Sequence, residues 1–310
     1  LALRRWALRG SLLFMIPALL VLAVTGTRYS VEFTGGTLTH VRTAERVEPG
    51  VLRTALANGG VASAGIQRFG SDHEYVIRSG AHGEQDAEPE AAVARVAGAL
   101  DAGLSSDGWE MVRSEEISPR VGGELKQKAY VAVVLSFAAT LVYLAFRFEW
   151  RFGLAAVLAT AHDILATLAF MRYLDLEVSL VVVAAVLTVL GYSLNDTIVI
   201  FDRARENLSA GSRRNTNTAQ LRAVLNTSIT ETLPRTLITG GTTLAAALVL
   251  AVLAGEVIRP FALVMGFGIV VGTFSSIYVG APIILLWGVD RSGGGKADTT
   301  PVKLGMASRP

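Results

Sequence analysis

Six long apolar segments, separated by polar stretches, dominate the pattern of this chain. A helix rises about 1.5 Å per residue, so about 20 apolar residues cross the hydrocarbon core of a bilayer. The pattern therefore predicts a polytopic α-helical membrane protein with six transmembrane helices. In chain order the segments are Gly10–Thr25, Ala129–Phe146, Phe152–Met171, Val178–Phe201, Thr236–Ala254 and Phe261–Trp287.

The stretch from 28 to 128 has a different periodicity, in which short β-type runs alternate with helical ones. The order β-α-β-β-α-β predicts a small α+β domain of the ferredoxin-like type between the first two transmembrane helices. The predicted elements are a strand or strand pair over Val31–Thr43, a helix over Pro49–Asn58, strands over Ile66–Phe69 and Glu74–Arg78, a helix over Pro89–Leu100 and a strand over Trp109–Ile117.

Basic residues cluster on one side of the predicted spans. Arg4, Arg5 and Arg9 precede the first span, Arg147 follows the second, and six arginines fall between 203 and 235. The positive-inside rule then places both termini in the cytoplasm and the domain at 28–128 outside it. The basic residues at 203–235 are accordingly interpreted as a topology signal, and not as a nucleic-acid site. The arginines before the first segment also resemble the start of a signal peptide, but the five later spans favour a retained helix.

This topology divides the chain into four parts. They are a cytoplasmic N-terminus with the first helix (1–27), an extracytoplasmic α+β domain (28–128), a bundle of the second to sixth helices (129–290) with a cytoplasmic loop at 202–235, and a disordered cytoplasmic tail (291–310). Within the cytoplasmic loop we expect an extension of the fourth helix over 202–208, a turn over 211–218, and an amphipathic helix on the membrane surface over 219–232.

Composition narrows the chemistry that this chain can perform. Apolar residues make up 51% of the sequence and the mean hydropathy is +0.47, well above the balance of a soluble domain. The chain has no Cys, which excludes disulfides and thiolate chemistry. His40, His73 and His82 lack metal-ligand spacing. With no nucleophile–base set or phosphate loop either, we predict no enzymatic activity, no metal and no cofactor.

Asp196 is the most informative polar residue, because it lies inside the fourth apolar segment. A carboxylate within such a helix costs about 2.5–3.5 kcal/mol on insertion scales, so it normally faces protein or a water-filled path. Thr188, Gly191, Tyr192 and Asn195 lie on the same small and polar face of the helix. The residues predict either a proton- or ion-responsive site between helices or a structural hydrogen-bond knot.

Two further charged groups lie in or beside the spans. Asp163, next to His162, is near the middle of the third span, where it is either a second proton-relay group or a packing group. Arg235 follows Pro234 at the cytoplasmic edge of the fifth span. It either extends to the headgroups or neutralises a carboxylate and changes partners during a cycle.

The sixth span carries a stripe of small residues. Gly268, Gly272, Ser276 and Gly280 are spaced four apart. Such a stripe lets two helix backbones approach closely, so we predict helix packing there and no chemistry.

Six short motifs, in the same order along the chain, resemble those of the SecF branch of the SecD/SecF family of protein-export membrane proteins. Each is short, but together they cover the chain up to about Asp290. The family usually has a Ser where this chain has Gly240 or Gly241, and the cytoplasmic loop is slightly longer here. The motifs are VEFTGGT (31–37), FRFEWRF (146–152), HD (162–163), GYSLNDTIVIFDRARENL (191–208), TLPRTLITGGTT (232–243) and GTFSSIYVGAP (272–282).

The resemblance implies a fold of the resistance–nodulation–division superfamily in the bacterial cytoplasmic membrane. It implies that SecD, separate or fused, supplies a matching six-helix half, with the SecYEG channel, YajC and YidC as further partners and a preprotein as substrate. The implied function is to use the proton gradient to promote preprotein translocation. By family correspondence Asp196 carries the proton, Arg235 is its basic partner, Asn195 is a polar neighbour and Asp163 is a second candidate.

Two other functions remain open from the sequence. One is export of small molecules or lipids by a member of the same superfamily, although such proteins commonly have twelve spans and two large outer domains. The other is a non-transporting scaffold for assembly of the Sec channel, in which Asp196 is a packing group.

Overall fold

A computed structural model of the chain describes residues 4–61, 64–69, 71–80, 89–104, 108–210 and 218–288. The turn expected at 211–218 (apart from its last residue), the tail at 291–310 and His82 lie outside this part of the chain. Within it, six helices are long and apolar enough to cross a membrane. The helices concerned are α1 (Arg4–Thr25), α5 (Pro119–Arg147), α6 (Trp150–Tyr173), α7 (Leu180–Ala210), α8 (Thr218–Leu253) and the last span, which consists of α9 (Gly255–Ser275), a π-helical turn (Ser276–Gly280) and α10 (Ala281–Trp287).

The remaining elements lie in the chain between α1 and α5 and form a small domain. Its four strands form a sheet in the order β2-β3-β1-β4, with every neighbouring pair antiparallel. Leu52, Leu56, Tyr75, Ile77 and Leu100 are fully buried in its core, between the sheet and two helices. The elements are α2 (Val31–Thr34), β1 (Gly36–Thr43), α3 (Pro49–Asn58), β2 (Gly65–Arg68), β3 (Glu74–Gly80), α4 (Pro89–Leu104) and β4 (Trp109–Ile117).

The expectation of a strand from Val31 is wrong for its first four residues, which form the helical turn α2. Alternation of apolar and polar residues over four positions does not distinguish a strand from a single helical turn. Gly35 and Gly36 end the turn with φ of 77° and 143°, in the region that only Gly adopts freely. The strand β1 therefore begins after these glycines, whereas the other predicted elements of the domain match the structure within a few residues.

The expected surface helix over 219–232 is also wrong as a separate element. It continues through Pro234 into the fifth span as the single helix α8. Its apolar residues Leu221, Leu225 and Ile229 are buried in a cluster with Phe201 and Leu208 of α7, so they pack against protein. The predicted extension of the fourth helix is confirmed, since α7 continues to Ala210.

Close contact between α3 and α4 generates the first prediction. A Cβ on Gly103 would lie 2.3 Å from Ala55 Cβ, whereas a Cβ on Gly98 of the same helix would meet nothing within 4 Å. We expect Gly103→Ala to destabilise the domain by about 1–3 kcal/mol through overpacking. Hydrogen exchange of the β1 amides in the full chain in detergent measures this as lower protection.

Gly98→Ala is the matched control. It adds the same methyl group to the same helix and should raise protection, since Ala is favoured over Gly in a helix by about 0.5–1 kcal/mol. Equal protection in the two variants would contradict the close packing of α3 on α4.

Candidate functional site

Asp163 lies at the centre of a buried polar cluster that joins three helices. Its residue surface is only 1% exposed. The hydroxyls of Ser193 on α7 and Ser275 on α9 both donate to Oδ2, the second over 2.7 Å. Nδ1 of His162 lies 3.0 Å from the other oxygen, Oδ1. Both carboxylate oxygens are therefore engaged, and the side chain links α6 to α7 and α9.

His162 extends this cluster to the first helix. Its Nε2 is in hydrogen-bond contact with the Ser11 hydroxyl of α1. The two ring nitrogens of His162 thus contact Asp163 on one side and Ser11 on the other, with the donor at each contact set by the tautomer of the ring. Next to this contact, Met15 of α1 packs in a buried cluster with Ala166 of α6. The first span is thus held to α6 by polar and apolar contacts together.

Asp196 occupies the interface between α7 and α9. It is 2% exposed, and Thr273 Oγ1 of α9 donates to its Oδ2 over 3.0 Å. In the described part of the chain this is the only hydrogen bond of the carboxylate. One residue further along α7, the hydroxyls of Thr197 and Ser276 are 2.8 Å apart. Asp196 is therefore almost as little exposed as Asp163, but within the described residues it has one donor where Asp163 has three possible donors.

The small-residue stripe of α9 permits this interface. A Cβ on Gly268 would lie 2.2 Å from Val189 Cγ2, and one on Gly272 would lie 2.9 Å from Ser193 Cβ. Ser276 contacts Thr197, and a Cβ on Gly280 would lie 3.2 Å from Phe201. The stripe meets α7 at steps of four residues on both helices, which confirms the predicted packing role.

The other residues of the predicted small and polar face of α7 do not bond to the Asp196 carboxylate. Thr188, Gly191 and Asn195 are exposed, and the Thr188 hydroxyl donates to the Ala184 carbonyl of its own helix. The Tyr192 hydroxyl is buried and without a hydrogen-bond partner among the described residues. A Cβ on Gly240 of α8 would lie 3.7 Å from this hydroxyl. The structure therefore places Asn195 beside Asp196 in the chain but on a different surface.

Arg235 is exposed and lines a cleft of about 780 Å³ at the end of the bundle opposite the small domain. No ion pair joins it to Asp196 within the residues described here. Val199, three residues after Asp196 on α7, lines the same cleft. Charged residues of both signs line the cleft. Among them, Arg203 donates from Nε to Glu231 and from Nη1 to Glu206, over 2.6 Å each.

The small domain is attached to the start of α7 by a set of contacts that sequence reasoning missed. The Leu180 N–H donates to Glu32 Oε2 over 2.7 Å, so a carboxylate of α2 caps the N-terminus of α7. Backbone bonds also join Ser30 N to Val178 O and Val178 N to Arg28 O. Arg28 forms an ion pair with Asp175. This set of contacts, from Arg28 to Glu32, is called the tether below.

Sequence reasoning also missed the hydroxyl partners of the two carboxylates. Ser193, Thr273 and Ser275 are ordinary residues in apolar spans, and only the helix packing shows which carboxylate each one contacts. Their presence in the motifs GYSLND and GTFSS was the one available signal.

Helix packing at this site generates the second prediction. In Gly272→Ala the new Cβ would lie 2.9 Å from Ser193 Cβ and 3.1 Å from its Cα, so α9 must move away from α7. We expect a loss of about 1–3 kcal/mol from this overpacking, seen as a lower thermal unfolding temperature in detergent. Gly191→Ala on α7 is the control, because its Cβ meets nothing within 4 Å. An unchanged unfolding temperature in Gly272→Ala would contradict the tight α7–α9 interface.

Comparisons with known proteins place this geometry in a family. A family model described as "Protein export membrane protein SecD/SecF, C-terminal" matches residues 101–290. The chain is 48% identical over 281 residues to the protein translocase subunit SecF of Gemmatimonas aurantiaca, covering 89% of this chain and 83% of that protein. Identity to the SecF subunit of Escherichia coli O157:H7 is 37% over 287 residues, with 92% and 86% covered.

Solved structures agree with these sequence matches. The crystal structure of SecDF from Thermus thermophilus, described as a translocon-associated membrane protein, is similar with a TM-score of 0.75 and 36% identity. The match covers 92% of this chain but 38% of that one, so this chain spans well under half of the SecDF chain. A super-membrane-facing form of SecDF gives a TM-score of 0.67. With six apolar helices and relatives named as translocase subunits, this chain is a multi-pass membrane protein and a protein-export subunit, and it belongs to the SecD/SecF family as a SecF-type member.

Proposed function

We propose that this subunit works with SecD to couple the proton gradient to preprotein translocation through SecYEG, with Asp196 as the proton-carrying group. The observation that carries the proposal is the position of Asp196, buried between α7 and α9 with Thr273 as its one hydrogen-bond donor among the described residues. A charged carboxylate can only accept from Thr273, whereas a protonated one can also donate. Gain of a proton therefore changes the bonding across this helix interface.

Asp163 has a different role in this proposal. Its oxygens already contact Ser193, Ser275 and His162, which together tie α6 to α7 and α9. Buried polar networks with all their members satisfied hold a structure rigidly. Asp163 therefore acts mainly as a fixed anchor, next to which the α7–α9 contact at Asp196 changes.

Arg235 is the proposed basic partner of Asp196 in a second arrangement of the helices. It lines the charged cleft together with Val199, which is about one helical turn from Asp196 on α7. Its side chain is exposed, so it is free to change position. In this proposal, protons reach Asp196 from the cleft, which faces the cytoplasm in the orientation that the positive-inside rule gives.

SecD is proposed to cover the exposed polar face of α7. Thr188, Gly191 and Asn195 form a small, polar strip within a span, and such strips favour contact with another helix over contact with lipid. Similarity to SecDF chains supports this partner. SecYEG, YajC and YidC are further proposed partners in the bacterial cytoplasmic membrane, with both termini cytoplasmic.

The small domain is proposed to be a ferredoxin-like module outside the cytoplasm, moved by the tether. Its strand order and the alternation of strands and helices support the fold assignment. Because Glu32 caps α7, the helix that carries Asp196, displacement of α7 is transmitted to the domain. One proton crossing about 100 mV provides about 2.3 kcal/mol, enough to bias a two-state movement but not to pull a whole preprotein. Several protons per preprotein are therefore needed.

Replacement of Asp196 tests the proton-carrying role. We expect Asp196→Asn to abolish the stimulation of translocation by the proton gradient, since the amide does not bind a proton near neutral pH. The measurement is preprotein translocation into inverted vesicles that contain SecYEG, SecA, SecD and this chain, with and without a gradient. Glu45→Gln, the same chemical change on the exposed surface of the small domain, should behave as wild type.

Equal stimulation of Asp196→Asn and wild type would assign Asp196 to helix packing and favour the scaffold function. Export of a dye or lipid by the purified complex without a preprotein would favour a small-molecule or lipid exporter.

Replacement of Glu32 tests the tether separately from the proton. Glu32→Ala removes the acceptor of the Leu180 N–H, while Glu32→Gln keeps an amide oxygen in its place. We expect Glu32→Ala to keep proton flux but lose most of the gradient-stimulated translocation, and Glu32→Gln to keep both. Full stimulation in Glu32→Ala would show that this contact does not transmit the movement. Loss of proton flux would show that Glu32 acts on the proton site itself and not only on the coupling.

A further inference from the structure

An apolar groove opens beside the small domain, where α5 passes α6 and α7. It encloses about 270 Å³ and is lined mainly by Val133, Ile164, Leu168, Met171, Val182 and Val186. This volume is slightly below the 300 Å³ or so of the smallest pockets for drug-sized ligands. The groove therefore fits a length of hydrocarbon chain better than a bulky molecule.

The groove lies beside the part of α5 between two close contacts with the rest of the chain. At the domain end, a Cβ on Gly122 would lie 2.9 Å from Gly35 N, so α5 touches the end of α2 there. At the other end, Leu144 is 1% exposed in the large cluster with α6 and α7. Between these contacts, Val134 and Leu135 are exposed by 65% and 62%. The groove thus lies within a span, at the depth of the acyl chains in the leaflet on the domain side.

A positive charge lies at the mouth of the groove. The Lys126 ammonium is 3.8 Å from the centre of the Tyr29 ring, and the hydroxyls of Tyr29 and Tyr130 are 2.5 Å apart. Lys126 has no carboxylate within 4.0 Å among the described residues. Lys and Tyr at the end of a span lie at the level of the lipid headgroups. The mouth therefore offers an anionic headgroup an unneutralised ammonium and a hydroxyl pair, in which one hydrogen joins the two oxygens and the other can be donated.

We propose that this groove binds one acyl chain of an anionic phospholipid, whose phosphate contacts Lys126 and the hydroxyls of Tyr29 and Tyr130. A polypeptide segment fits less well, since its backbone N–H and C=O groups need partners that an apolar groove does not supply. The groove also contacts Val178 and Val182, at the start of α7 and beside the tether. A bound acyl chain would fill the space next to Val178 and Val182 and so stiffen the connection between the small domain and α7.

The test is native mass spectrometry of the complex of this chain with SecD, loaded with phosphatidylglycerol or phosphatidylcholine. We expect wild type to retain one phosphatidylglycerol and to prefer it by about fivefold, as one Lys near an anionic lipid contributes about 1 kcal/mol. Lys126→Gln should remove the preference and Lys126→Arg should keep it. Lys128→Gln is the control, because Lys128 is exposed on the same helix and does not line the groove.

A second pair of variants tests the groove itself. Val133→Trp should fill the groove and remove retained lipid of both kinds, while Val134→Trp, which adds the same ring to the neighbouring exposed position, should not. Equal retention in Val133→Trp and Val134→Trp, or no lipid preference in wild type, would overturn the proposal. So would a photo-crosslinker at position 133 that labels a preprotein and not a lipid.

Discussion

The close packing of α7 on α9 is the contact on which the rest of the membrane bundle depends. It is possible only because Gly268 and Gly272 have no side chain where Val189 and Ser193 pass. Hydrocarbon tails are as apolar as the helix surfaces, so association in a membrane relies on close packing and polar bonds more than on exclusion of water. The short distance between the two backbones is also what brings Thr273 within reach of Asp196 and Ser275 within reach of Asp163.

The two buried carboxylates show how one interface can hold a fixed point and a variable one. Asp163 is surrounded by donors from three helices, so any displacement of those helices breaks several bonds at once. Among the described residues Asp196 is bonded to a single hydroxyl, so a small sliding of α9 past α7 would break one bond there. This difference in hydrogen bonding supports the proposed movement at Asp196, with Asp163 as the fixed point.

Much of the fold was predictable from the sequence, because apolar length and β-α periodicity are strong local signals. The six spans and most elements of the small domain were found this way. Two local patterns were misleading: Val31–Thr34 alternates like a strand, and the amphipathic stretch over 219–232 is part of the long helix α8 and not a separate surface helix. Asp163 and Asp196 were predictable from their cost in a membrane. Their hydroxyl partners, and Glu32 at the start of α7, depend on tertiary contacts that no local pattern contains.

The π-helical turn at Ser276–Gly280 has a geometric consequence for the stripe on α9. Four residues of α-helix rotate about 400°, so small residues spaced by four drift about 40° round the helix at each step. A π-helix bonds to the fifth residue instead of the fourth and so winds less per residue. The turn thus unwinds part of the accumulated drift, and Gly280 still faces Phe201 three steps beyond Gly268. In this span the π-helical turn reduces the rotation of the small residues round the helix and so keeps them facing α7.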